Sequence, residues 1–141
     1  MSESFESKRA PEPVGAFPHA KRVGDFLFLS GIGPRARGGK EIPGVTLDAA
    51  GNVTSYDIDK QCHAVFENVR LVLEDAGATW NDIVDVTVFL TNMKKDFAIY
   101  NKLYAEYFAG DGKPNPTRTT VEVTALPTPI AIELKVIAAL K

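Results

Sequence analysis

Arg118-Thr119-Thr120-Val121-Glu122-Val123-Thr124, then Leu126-Pro127-Thr128-Pro129, then Ile130 through Leu140: the last third of the chain reads as two strands around a proline-rich turn. Both segments are rich in β-branched residues, and apolar and polar positions alternate as a half-buried strand requires. So short a connection predicts an antiparallel hairpin. Thr119, Val121 and Val123 are core-type in the first strand, as are Ile132, Leu134 and Val136 in the second. Arg118, Thr120 and Glu122 are then expected on the opposite face, with Glu133 and Lys135 beside them.

Working outward, Ile83 to Leu90 alternates as a strand, with Val84, Val86, Val88 and Leu90 on one face and Asp85, Thr87 and Phe89 on the other. Ser55 and Asp57 offer N-caps for a helix running to about Ala76, with Gly77 as its stop signal. Its Cys62, Val65, Phe66, Val69, Val72, Leu73 and Ala76 recur at the three–four spacing of one buried stripe. A second helix, over about 96–108, carries Phe97, Tyr100, Leu103, Tyr104, Tyr107 and Phe108, and the glycines and prolines of 110–116 end it. Nearer the N-terminus, Phe26-Leu27-Phe28-Leu29-Ser30-Gly31 is an apolar run closed by glycine, the pattern of a buried strand. This order predicts an α+β fold, a sheet with two helices packed on one face. The other face carries Phe89, Ala131 and Ile137 among Arg118, Glu133 and Lys135, a mixture that suits a subunit interface holding polar sites.

Residues 1–13 are charged, contain two prolines and are expected to form a mobile or loosely docked arm, leaving 14–141 as one domain. Between Gly33 and Val53 lie five glycines, two prolines and the basic cluster Arg35, Arg37, Lys40. Loops this long in a compact domain are uncommon and usually functional or disordered.

The whole chain of 141 residues has the length of one domain, and its 45% apolar and 24% charged residues are ordinary for a globular protein. A net charge of −2 gives no electrostatic footprint for nucleic acid or anionic lipid. No apolar run approaches the ~18 residues of a spanning helix. The single cysteine, Cys62, excludes an internal disulfide and fits a reducing compartment. With no address signal in MSESFESKRAPEP, the expected location is the cytoplasm.

Arg118 and Glu133 are the pair that could carry chemistry. A guanidinium grips a carboxylate through two charge-assisted bonds, and a nearby glutamate can position or activate a water. The same two residues would equally serve as an ion pair with each other, or with Lys135 and Glu122, across an interface. His19 and His63 are the only histidines, and adjacent Cys62 and His63 on a helix cannot both face one metal, so no metal site is expected. Cys62 fits the core, while His19, in Gly15-Ala16-Phe17-Pro18-His19-Ala20, suits a surface or a site. Ser30 lacks the surroundings of a nucleophile elbow. Arg35, Arg37 and Lys40 read either as a solvated loop or as a second anion anchor.

Several segments together resemble the reactive-intermediate deaminases, the Rid or YjgF/YER057c/UK114 family. They are Gly15-Ala16-Phe17, Phe26 to Gly31, Asn68-Val69, Asp82 to Leu90, Asp96 to Asn101, Pro116 to Val123, Leu126-Pro127 and Ile132-Glu133-Leu134. The resemblance implies a chorismate-mutase-like α+β fold, a homotrimer around a sheet-lined central barrel, and active sites between subunits. It implies that Arg118 binds the substrate carboxylate and Glu133 manages the hydrolytic water, with Ser30, Asn101, Phe17 and His19 at further site positions. Phe17 departs from the usual tyrosine, and His19 from a common glutamine. The long 33–53 loop and the run from Thr119 to Glu133 resemble the 2-aminomuconate deaminase branch, which forms 4-oxalocrotonate and ammonia during aromatic catabolism. No cofactor is implied. A general 2-imino-acid deaminase, or a non-catalytic carboxylate-binding or chaperone-like oligomer, would use the same Arg118 pocket.

Overall fold

The computed structural model describes residues 2–39 and 41–141. Its main sheet runs in the order β1 (Ser2–Phe5), β2 (Ala20–Val23), β3 (Phe26–Leu29), β8 (Ile132–Ala139), β6 (Ile83–Leu90) and β7 (Thr117–Glu122). Helices α1 (Ile58–Asp75) and α2 (Met93–Phe108) cover one face. Asp57 caps α1 by accepting from the backbone N–H of Asp59 and Lys60. Asn92 caps α2 by accepting from Lys95 N–H, so that helix begins at Met93, ahead of the expected start at Asp96. Phe66, Val69 and Leu73 of α1 and Tyr104 and Phe108 of α2 meet Val86, Val88, Leu134 and Val136 of the sheet in one core. Each such apolar side chain contributes about 1.5–3 kcal/mol by its burial.

The expected hairpin between the last two strands does not form. β6 lies between β7 and β8, pairing parallel with β7 and antiparallel with β8. The short connection instead wraps the end of β6: Val123 N–H donates to Leu90 O at 2.9 Å, and Thr91 N–H donates to Ala131 O at 3.1 Å. The assignment of faces on β7 is reversed as well. Arg118 is in register with Val86 and Thr120 with Val88, so both point to the helices, while Thr119 and Val121 share the bare face with Thr87 and Phe89. Glu133 pairs with Phe89 and does lie on the bare face, as expected. Val84 departs from its predicted face because an irregularity between Ile83 and Asp85 turns it outward, 40% exposed. Phe26 and Phe28 add exposed rings to the bare face, paired with Ala139 and Ile137.

Nor are residues 2–13 a loose arm. β1 pairs with β2 in antiparallel register, and Ser7, Ala10 and Pro11 are buried. Ser7 Oγ donates to Asp75 on α1 at 2.7 Å, and Arg9 pairs with the same carboxylate at 2.5 Å. Arg37 Nη1 donates to Ser7 O at 3.0 Å and Ala10 O at 2.8 Å. The polar composition that predicted mobility supplies these ties. The 33–53 stretch is not one structureless loop either: Val45 N–H donates to Ile42 O at 3.0 Å, and β4 (Val45–Leu47) pairs with β5 (Val53–Tyr56).

Candidate active site

Glu133 stands on β8 beside Gly31, at the end of the β3 segment. A Cβ at position 31 would lie 2.7 Å from Glu133 Oε2, so only glycine lets this carboxylate lie against the backbone. Burial pushes the Glu133 carboxyl above its ordinary range, and among the described residues no hydrogen bond or ion pair reaches it. Neighbouring Lys135 is turned away: its Nζ donates to Leu29 O, and burial lowers its pKa. The Glu133 carboxylate opens into a cleft of about 50 Å³ that also contains Phe17, Ser30, Arg35 and Thr128. That is small beside the roughly 300–1,000 Å³ of pockets that take small organic molecules.

Within this cleft, Ser30 Oγ donates to Pro18 O at 2.7 Å and Phe17 is 40% exposed. His19 is buried and committed to structure. Its Nδ1 accepts from Ser7 N–H at 2.9 Å and its Nε2 donates to Pro11 O at 2.7 Å, which fixes the tautomer. His19 thus holds the arm segment 11–14 as one wall of the cleft. Arg37 does likewise from the loop side, whereas Arg35 reaches the cleft itself. Lys40, the third member of the basic cluster, lies outside the described residues.

Arg118 occupies a second, separate place. On edge strand β7 it faces α2, where its Nη1 donates to Asn101 Oδ1 at 2.9 Å. Its guanidinium carbon stands 4.7 Å from the Tyr104 ring centroid and 5.3 Å from that of Tyr100. No carboxylate pairs with it among the described residues. Tyr100 and Tyr104, one turn apart, form an aromatic seat, and Tyr100 OH bonds Thr120 Oγ1 at 2.8 Å. Tyr104 OH is buried without a partner, and burial pushes its pKa up to about 12. The sequence reading missed this seat because both tyrosines fit the core stripe. Only their four-residue spacing on the face that carries Asn101 marked them.

Arg118 and Glu133 were expected on adjacent strands and one face. They project from opposite faces with β6 between them, so a single chain does not direct both at one ligand. Among the described residues no group of three or more His, Cys, Asp or Glu side chains converges as a metal set, and no helix is long and apolar enough to cross a membrane.

The family model described as endoribonuclease L-PSP matches residues 7–140. The chain belongs to this family, the Rid family. A RutC family protein of Pyrococcus abyssi is 39% identical over 137 residues, covering 96% of this chain and 95% of that one. The crystal structure of Escherichia coli TdcF with bound serine superposes with a TM-score of 0.83 at 30% identity, covering 99% of both chains. TdcF is provisionally named a reactive intermediate deaminase. The E. coli YjgF gene product gives the same TM-score of 0.83 at 28% identity, again over 99% of each chain. These Rid relatives share the architecture of two helices on one face of the sheet.

Proposed function

We propose that this Rid protein is a hydrolytic deaminase of 2-enamino and 2-imino acids, and that its substrate is 2-aminomuconate. The observation that carries the reading is Arg118: a half-buried guanidinium with no carboxylate partner among the described residues, held by Asn101 over two tyrosine faces at a sheet edge. Such a fork suits a substrate carboxylate. Glu133 supplies the complementary chemistry from a second copy of the chain, seated on the apolar bare face around Phe28, Phe89, Val121 and Ile137 to form a homotrimer. The enamine first tautomerises to the imine. Water then adds to carbon 2 while the Glu133 carboxylate takes a proton from it and passes that proton to the imine nitrogen, giving a neutral carbinolamine. Glu133 next moves the hydroxyl proton to nitrogen as the C–N bond breaks, so that ammonia leaves and the ketone remains, 4-oxalocrotonate, which equilibrates with its enol. Binding and orientation supply most of the rate, with no cofactor required.

A net charge of −2 weighs against RNA cleavage, the activity in the family's descriptive name. Phe17, lacking a hydroxyl, favours one second reading, a carboxylate-binding protein without turnover. Ammonia release from 2-aminomuconate and from 2-iminopropionate, each generated in situ, tests the proposal. Turnover of both, with 2-aminomuconate preferred, is expected. Tight binding without ammonia release refutes it, as does an active monomer in sedimentation at micromolar concentration.

A further inference from the structure

Arg35, like Arg118, is a half-buried guanidinium that forms no ion pair among the described residues. Its backbone is fixed from below: the buried Asn68 amide on α1 donates to Gly33 O and Arg35 O, each at 2.9 Å. Its side chain is half-buried at the rim of the Glu133 cleft, and Nη2 donates to Glu12 O at 2.6 Å. That is one bond for a group with five N–H donors. Among the described residues it forms no ion pair; the nearby Glu12 carboxylate instead accepts from Gly38 N–H at 3.1 Å. Arg37 differs, because both of its bonds go to the arm and it does not line the cleft. The cleft between Arg35 and Glu133 is walled by Phe17, Gly31 and Ile130, with Ser30, Thr128 and Glu12 as polar members.

A guanidinium whose backbone is fixed by a buried amide, at the rim of a cleft walled in part by Phe17 and Ile130, fits an anionic group at the far end of an extended molecule. We propose that Arg35 binds a second carboxylate and makes this site selective for conjugated dicarboxylates. The inference rests on the deaminase reading for the identity of the first anchor, Arg118. Arg118 grips the carboxylate next to the reacting carbon, the conjugated chain runs along the cleft past Phe17, and Arg35 takes the remote end. The charge-assisted contact discriminates against a substrate lacking that group, whose binding would leave the guanidinium uncompensated in a half-buried place.

Calorimetric titration with trans,trans-muconate and with sorbate tests this directly, because the two share a conjugated skeleton and differ by one terminal carboxylate. The unaltered protein is expected to bind muconate about 10- to 100-fold more tightly than sorbate. In Arg35→Ala the preference falls to within about threefold, and Arg35→Lys restores part of it. Arg22→Ala, which removes an equal charge on β2 outside the cleft, keeps the preference. An unaltered protein that does not distinguish the two ligands overturns the proposal, as does a preference that survives Arg35→Ala. Equal loss in Arg22→Ala overturns it too, by assigning the effect to overall charge. The titrations read binding alone, so failure of ammonia release would refute the deaminase reading and leave the role of Arg35 standing.

Discussion

Replacing Gly31 by alanine perturbs the Glu133 carboxylate with one methyl group. Gly31 is not among the glycines with positive φ, so the backbone accepts alanine without strain. The added Cβ sits 2.7 Å from Oε2 and 3.1 Å from Cδ of Glu133, and ordinary contact begins near 3.4 Å. The carboxylate must therefore retreat by about 0.7 Å, which a flexible side-chain end does at little cost. The fold should be stable to within about 1 kcal/mol of the unaltered protein in thermal unfolding. Catalysis is less forgiving, since a misplacement of about 1 Å costs up to 100-fold in rate. A fall in kcat of about tenfold, or 1.4 kcal/mol, is expected with KM nearly unchanged, measured as ammonia release. In a Glu133→Gln background the same methyl should cost almost nothing further, because the group it displaces no longer acts. An unchanged kcat, or a full tenfold loss in that background as well, would refute the role given to Glu133.

Arg118→Ala should nearly abolish turnover while leaving the oligomer intact, and Arg118→Lys should rescue little, because a point charge lacks the two-pronged geometry; near-normal steady-state kinetics in either would return Arg118 to a structural role. Glu133 gives a pH signature: burial raises its folded pKa, so the folded state holds its proton more firmly and stability falls as pH rises from the ordinary glutamate range through the raised value. Glu133→Gln should therefore gain stability over the unaltered protein at neutral pH and lose that gain below about pH 4, while its kcat falls sharply; thermal unfolding across pH reads the first and initial rates the second. His19→Ala removes two hydrogen bonds at a buried position and should cost about 2–3 kcal/mol in urea unfolding, with the arm becoming the preferred site of proteolysis.

What was legible in the sequence depended on how many partners a pattern implied. The helices declared themselves through one-sided stripes and side-chain caps, as Asp57 shows. β6 was legible because Val86, Val88 and Leu90 contrast with Asp85 and Thr87. β7 was misread because its apolar residues do not face the core. Val121 lies on the apolar bare face, while Arg118 and Thr120 face α2, where Asn101 and Tyr100 offer polar partners. Alternation locates two faces and cannot say which one the helices cover when both are partly apolar. Loop length misled at the last connection for a similar reason: a short link can also step around the end of one intervening strand. The role of His19 rests on Ser7 and Pro11, contacts between backbone atoms and a ring that no local pattern encodes. Arg118, Glu133, Ser30 and Asn101 could be named as candidates from the sequence, but their division between two faces appears only when the strand order is known.

That division has a genetic consequence. If each working centre draws its guanidinium from one polypeptide and its carboxylate from another, two inactive alleles can repair each other. Subunits carrying Arg118→Ala, refolded together with an equal amount of Glu133→Gln subunits, would assemble at random. Each centre then has an even chance of receiving an intact guanidinium and, independently, an even chance of an intact carboxylate, so roughly a quarter of the normal activity would return. By the same logic a strain expressing both alleles would grow where neither alone does, and one damaged allele beside a normal one would leave about half of the centres intact.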